Sequence, residues 1–159
     1  MPGLFFDDYE TPVYRPPSEA ESFILRVTRG CAHNHCTYCN MYRGVQFEKL
    51  TDEEIMRQIA MAYSVDRDGV RRVFLADGDA LVLETERLLK ILNTLKKYFP
   101  NLERVASYAA PGDILRKSVE ELTQLREAGL QILYYGMESG DSQTLRDIRK
   151  GVDGPQSIE

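Results

Sequence analysis

The sequence from 23 to 39 reads FILRVTRGCAHNHCTYC, in which a short apolar strand runs directly into a group of cysteines and histidines. In the strand, Phe23, Leu25 and Val27 recur at every second position, which predicts one buried face over 23–28. The segment that follows holds all three cysteines of the chain and both of its histidines. A strand and a reactive loop are therefore indicated at the same point of the chain.

The composition predicts a globular, cytoplasmic protein. Of the 159 residues 43% are hydrophobic, which suffices for one domain with a sizeable core. We expect no membrane span or secretory signal, because no apolar run approaches roughly 20 residues and no basic region followed by an apolar stretch opens the chain. The net charge of -5 argues against nucleic acid as a partner. Three cysteines do not suit a secreted disulfide framework, so the reducing cytosol is favoured.

Strands and helices alternate from residue 23 onward. The predicted strands are 23–28, 72–76, 104–108 and 130–136. Capping boxes predict two helix starts, at Thr51 with Glu54 and at Ser118 with Glu121. Two further helices are predicted from the apolar period between Leu88 and Phe99 and in the segment 141–151. The stripe expected to be buried in the first helix is Ile55, Ile59, Ala62 and Tyr63.

The proline-rich segment 1–22 is predicted to be an extended arm, with Phe5, Phe6 and Tyr14 as anchors. The remaining residues, 23–159, are predicted to form the core domain.

Strands that alternate with helices of this length predict a parallel sheet joined by helical crossovers. In such sheets functional groups collect in the loops after the carboxyl ends of the strands. The four loops that follow the predicted strands are rich in polar or reactive residues: the cysteine loop (30–42), DGDA (77–80), SYAAPGD (107–113) and GMESG (136–140). Within the third loop we expect APGD (110–113) to be a simple turn. Arg26 and Arg29 are expected to be surface or ion-paired arginines.

Four interpretations of the cysteine loop are open on its residues alone. Buried structural cysteines suit the polar surroundings poorly. A redox pair of Cys36 and Cys39 would leave Cys31 without a role. Three thiolates with His33 or His35 could form a closed zinc site. A 4Fe–4S cluster is the fourth interpretation, because thiolates are its usual ligands and three of them leave one iron open.

The cysteine loop, with the aromatic Tyr38 directly before its last cysteine, resembles that of the radical S-adenosylmethionine (radical SAM) superfamily. The resemblance implies that Cys31, Cys36 and Cys39 bind a 4Fe–4S cluster. It implies that S-adenosylmethionine (SAM) chelates the open iron and is cleaved reductively to a 5′-deoxyadenosyl radical, which abstracts hydrogen from a substrate. Tyr38 would lie near the adenine.

The same resemblance implies further cofactor-binding residues. The DGD turn stands where the family has a Gly-Gly-Glu-type turn, so Asp79 would meet the SAM ammonium and Asp77 would belong to the same site. Gly78 would let the backbone approach closely. Glu138 would meet the ribose hydroxyls or the methionine moiety. Ser107, which ends the third strand, would line the same pocket.

The family fold implied is an α/β partial parallel barrel of six strand–helix units, of which this chain holds about four. The spacing C-x4-C-x2-C is one residue longer than the commonest family spacing. The resemblance implies an external electron donor, flavodoxin- or ferredoxin-like, and an unidentified substrate, and a partner chain could complete the barrel. Two alternatives stay open: a zinc-stabilised α/β binding module without catalysis, and a cluster-binding but inactive fragment.

Overall fold

The computed structural model, which describes residues 13–158, has the predicted alternation of strands and helices. The strands are β1 (Phe23–Arg26), β2 (Thr28–Arg29), β3 (Glu48–Lys49), β4 (Arg72–Ala76), β5 (Arg104–Ala109) and β6 (Leu130–Tyr135). The helices are α1 (Asp52–Asp66), α2 (Thr85–Tyr98), α3 (Pro111–Leu115), α4 (Val119–Glu127), α5 (Ser142–Asp147) and α6 (Gly154–Ile158). Among residues 13–158, no helix combines the length and the hydrophobicity of a membrane span.

One parallel sheet organises the molecule. Among the described residues it has the order β1-β4-β5-β6, with Phe23 opposite Val73 and Val73 opposite Val105. The chain crosses from each strand to the next through α1, α2 or α4. The predicted parallel α/β architecture is confirmed, and the carboxyl ends of all these strands meet at one edge of the sheet.

The main core lies between the sheet and the crossover helices. The predicted stripes of α1 and α2 are buried in it, except at one position: they contribute Ile55, Ile59, Ala62, Leu88, Ile91, Leu92, Leu95 and Phe99. Tyr63 is the exception, because 41% of it is exposed and its ring packs edge-on against Tyr98 instead of entering the core. Including Tyr63 in the stripe was therefore wrong. Both predicted capping boxes are present.

The first strand is shorter than the predicted 23–28. Pairing with β4 ends at Arg26, opposite Ala76, and β2 then pairs antiparallel with β3 in a separate small sheet. A side chain of α1 provides hydrogen bonds for the backbone of Arg26. The Gln58 side chain accepts from Arg26 N and donates to Arg26 O, each at 2.9 Å. These bonds cover the outer edge of β1, where open backbone groups would otherwise remain.

Two other segments differ from expectation. APGD is not a simple turn, because Pro111 begins α3, and proline suits the first position of a helix. The helix predicted in 141–151 ends at Asp147, since Arg149 and Gly151 adopt left-handed φ values of 55° and 86°. These left-handed residues turn the chain back toward the cysteine loop.

The opposite face of the sheet carries a smaller apolar cluster. It contains Ile24, Phe74, Ala76 and Ala106, with Val13, Tyr108, Ile132 and Tyr134 packed against them. The described part of the predicted arm lies near this face: Glu19 is buried and bonds to Arg104 at 3.0 Å and to the Tyr134 hydroxyl at 2.6 Å. The ring of Tyr14 contacts that of Tyr42 edge-on at 5.5 Å between centroids. Phe5 and Phe6 lie outside the described residues, and the domain division at residue 22 stays a prediction.

Candidate functional site

The loops at the carboxyl edge of the sheet surround a cavity of about 590 Å³. Of the predicted site residues, those that line it are Cys31, Cys36, Cys39, Tyr38, Gly78 and Glu138. Lining residues that the sequence analysis did not select include Tyr42, Tyr108, Tyr134, Tyr135, Arg116 and Lys150. The strand-end loops are thus brought together as expected. Asp77, Asp79 and Ser107 are buried beside the cavity.

The position of the cysteine loop depends on a buried ion pair. Arg26, at the end of β1, donates to Asp77 Oδ2 from Nε at 3.1 Å and from Nη2 at 2.8 Å. Both side chains are at most 4% exposed. Asp77 Oδ1 is buried and has no hydrogen-bond partner among the described residues. Arg26 is therefore an ion-paired arginine, and Asp77 faces the protein interior.

The same carboxylate holds the start of the cysteine loop. Gly30 N donates to Asp77 Oδ2 at 3.0 Å, and Gly30 O accepts from Gly78 N at 3.1 Å. Gly30 has a φ of +75°, a conformation that favours glycine. Gly78 packs so closely that an added Cβ would lie 2.8 Å from Cys31 Cα and Cβ. The predicted close approach at Gly78 is thus made by the cysteine loop itself.

The end of α5 supports the middle of the cysteine loop. Thr37 N donates to Ile148 O at 3.0 Å. His33 Nε2 lies 2.7 Å from Arg149 O, and because a carbonyl only accepts, this nitrogen carries the proton. The His33 ring also contacts Gly151, where a Cβ would lie 2.8 Å from Cε1. His33 therefore has a structural partner of its own, which no local pattern in the sequence indicated.

The three thiols between these supports are chemically available. Each cysteine is free and partly exposed, and all three line the same cavity. Burial raises the pKa of the Cys36 thiol, although the positive charge of Lys150 opposes the shift. Across residues 13–158 no three His, Cys, Asp or Glu side chains converge on one point that could hold a single metal ion. A 4Fe–4S cluster does not require one such point, since each thiolate binds a different iron, so the donor set fits a cluster.

Glu138 and Tyr38 both line the cavity at its rim. Glu138 adopts a left-handed φ of 61°, and its Oε1 lies 3.1 Å from Lys150 Nζ. Burial alone would raise the pKa of Glu138, but hydrogen bonds from Tyr38 and Lys150 lower it overall. Burial and the bond to Glu138 raise the pKa of Tyr38. Glu138 is therefore a charged acceptor that faces the cysteines.

Asp79 and Ser107 already have partners within the protein. The two carboxylate oxygens of Asp79 accept from Leu81 N at 2.7 Å and from Ala110 N at 2.8 Å. Burial raises the pKa of Asp79 to about 6, despite those bonds and the charges of Arg116 and Lys117. The hydroxyl of Ser107 donates to backbone carbonyls, at 2.8 Å in the shorter of two contacts. Asp79 thus joins the loops after β4 and β5, whereas the longer contact of Ser107 reaches the carbonyl of Leu75 within β4.

Comparison with known proteins agrees with this geometry. The family model described as the radical SAM superfamily matches residues 25–159. The chain therefore belongs to the radical SAM superfamily, whose enzymes use a 4Fe–4S cluster and SAM.

The relatives are distant and much longer. "Putative methylthiotransferase MJ0865" from Methanocaldococcus jannaschii is 20% identical over 144 residues, which cover 85% of this chain and 30% of that protein. Two structures of the cobalamin-dependent SAM radical enzyme OxsB, one with aqua-cobalamin and one with aqua-cobalamin and SAM, give TM-scores of 0.68 and 0.67. The two OxsB chains are 21% and 20% identical in sequence to this chain. Each match covers 86% of this chain and 21% of the OxsB chain. This likeness confirms the predicted partial-barrel fold, and the chain spans less than a third of these relatives' length.

The contact between Gly78 and Cys31 generates a first prediction. Gly78→Ala places a methyl group against the backbone of Cys31, so it should displace the thiol and reduce cluster content severalfold after anaerobic reconstitution with iron and sulfide. Gly112→Ala is the matched control, because Gly112 lines the same cavity and a Cβ there meets nothing within 4 Å. Equal cluster content in the two variants would contradict the role given to Gly78.

The raised pKa of Asp79 generates a second prediction. Because the folded-state pKa of about 6 lies above an unfolded value of about 3.9, the folded protein binds the proton more tightly. The protonated Asp79 carboxyl therefore contributes stability to the folded protein below pH 4, and this contribution is lost as the pH rises through 6. The free energy of unfolding of the wild type, minus that of Asp79→Asn, should therefore fall by up to about 3 kcal/mol between pH 4 and 7. Urea unfolding measures it, and a difference independent of pH would refute the assignment.

Proposed function

We propose that this chain is a radical SAM enzyme core, which holds a 4Fe–4S cluster on Cys31, Cys36 and Cys39 and binds SAM beside it. The supporting observation is that three partly exposed thiols and Glu138 line one cavity at the carboxyl edge of the sheet. When bound, the cluster supplies the electron for reductive cleavage of SAM to a 5′-deoxyadenosyl radical, which abstracts hydrogen from the substrate.

The protein's part in this chemistry is to place the ligands and keep them in place. The ion pair of Arg26 and Asp77 fixes the loop start, and the carbonyls at the end of α5 fix its middle. A third support comes from the residue directly after the loop, where the Arg43 guanidinium donates to Thr37 O at 3.1 Å and to Cys39 O at 3.2 Å. Such fixed ligands hold a metal group in one geometry without reorganisation.

Glu138 and Tyr38 are the proposed contacts for SAM at the rim of the cavity. Because the pKa of Glu138 is lowered, its carboxylate is charged at neutral pH and can accept bonds from ribose hydroxyls or an ammonium. Tyr38 is half exposed beside the last cysteine, and its ring offers a face on which an adenine can stack. Tyr42, Tyr108 and Tyr134 also line the cavity and add aromatic surface to it.

The DGD turn and Ser107 have supporting roles in this proposal. Asp77 and Gly78 hold the cysteine loop, and Asp79 holds the backbone of Leu81 and Ala110. A direct bond from Asp79 to the SAM ammonium would share an oxygen with one of these amides, which a carboxylate permits because each oxygen has two lone pairs. Ser107 ties β5 to the carbonyl of Leu75 on β4.

An external electron donor of the flavodoxin or ferredoxin kind, a cytoplasmic location and a partner chain that completes the barrel are further parts of the proposal. The donor is needed because reductive cleavage consumes an electron.

Anaerobic reconstitution tests the proposed function. The purified chain should become brown, bind about four irons, and show a reduced-cluster resonance that shifts when SAM is added. A colourless protein that retains one tightly bound zinc ion would instead support the zinc-stabilised module. An intact cluster that yields no 5′-deoxyadenosine under reducing conditions would identify a cluster-binding but inactive fragment.

Single substitutions in the cysteine loop give a third prediction. Cys31→Ala, Cys36→Ala and Cys39→Ala should each abolish the 4Fe–4S resonance, because each removes one thiolate ligand. His35→Ala should retain it, since His35 only packs edge-on against His33. His33→Ala should retain at least part of it, since the loop loses the bond to Arg149 O but keeps the bond from Thr37 N to Ile148 O. Loss of the cluster in either histidine variant, with the protein still folded, would contradict the three-cysteine assignment.

A further inference from the structure

Lys150 lines the same cavity as the three cysteines and Glu138. It follows the left-handed Arg149 after α5, and its side chain is only 10% exposed. Its Nζ lies 3.1 Å from Glu138 Oε1. A Cβ at Gly136 would lie 3.0 Å from Nζ, so the absence of a side chain there leaves room for the ammonium group. The lysine is thus directed into the cavity and held there.

The segment that carries Lys150 is attached to the cysteine loop on both sides of it. Ile148 O accepts from Thr37 N, Arg149 O accepts from His33, and Gly151 contacts the His33 ring. The ammonium also acts on the loop by its charge, because Lys150 lines the same cavity as Cys36. Any group bound to that thiol therefore lies in the field of this cation.

A lysine after a helix often serves only to stabilise the helix carboxyl end. The contacts of Lys150 differ from that role, since its ammonium bonds to Glu138, twelve residues earlier on the loop after β6. A charge that is largely removed from water is also screened less than a surface charge. Its effect on a neighbouring group is correspondingly larger.

We propose that Lys150 is a positioning residue that favours reduction of the cluster, by fixing a positive charge beside Glu138 on the cavity that Cys36 also lines. The inference rests on the proposed function, because it requires a cluster on Cys36. Reduction adds one negative charge to the cluster, and a nearby cation stabilises the reduced form more than the oxidised form. The negative charge of Glu138 has the opposite effect and disfavours reduction. The ion pair holds both charges in place.

The test is a redox titration of the reconstituted 159-residue chain, followed by the resonance of the reduced cluster. Lys150→Met keeps the length of the side chain and removes its charge. It should lower the equilibrium constant for reduction on the order of tenfold, about 59 mV for a one-electron couple. Lys150→Arg should stay close to the wild type, as should the control Lys97→Met, which changes an exposed lysine of α2. Chemical unfolding of the metal-free variants shows that each one folds.

Glu138→Gln provides an independent arm with the opposite sign. It removes a negative charge and leaves Lys150 in place, so reduction should become easier than in the wild type. If Lys150→Met does not hold a cluster, this arm alone decides, and an unchanged or lower potential in Glu138→Gln would overturn the proposal. An unchanged potential in Lys150→Met would also overturn it. A wild-type chain that assembles no cluster would refute the proposed function itself, and this inference with it.

Discussion

The buried ion pair between Arg26 and Asp77 is the interaction on which the rest of the site depends. It joins the ends of neighbouring strands β1 and β4, and its carboxylate also accepts from the first residue of the cysteine loop. Breaking such a pair by removing one partner costs about 3–5 kcal/mol, because the remaining buried charge is uncompensated. The two strand ends and Gly30 are therefore held as one unit, and the position of Cys31 follows from it.

The cysteine loop is supported from two directions, and the thiols lie between the supports. On the sheet side Gly78 packs against Cys31, and on the helix side the carbonyls at the end of α5 bond to His33 and Thr37. Glu138 and Lys150 extend the second support to the rim of the cavity. One arrangement thus places the proposed cluster ligands, the proposed SAM contacts and a fixed cation around the same space.

Local patterns in the sequence predicted much of the fold and part of the site. Alternating strands, helical stripes and the capping boxes at Thr51 and Ser118 depend on neighbours a few residues away, and the structure confirms them. The pairing of Arg26 with Asp77 spans 51 residues, and the contact of His33 with Arg149 spans 116. No local pattern carries such information, which explains why their partners, and Lys150, were missed. The predicted burial of Tyr63 was wrong because its ring packs against Tyr98 at the surface of α1 instead of entering the core.

The most direct test of this account replaces the ion pair without leaving a charge behind. In the double variant Arg26→Met with Asp77→Leu, hydrophobic side chains fill the same space, and such replacements are often neutral for stability. The amide of Gly30 loses its acceptor, however, so the account predicts a folded protein whose iron and sulfide content after anaerobic reconstitution falls severalfold below that of the wild type. A folded double variant with a full complement of iron and sulfide would contradict the claim that this pair positions the cysteine loop.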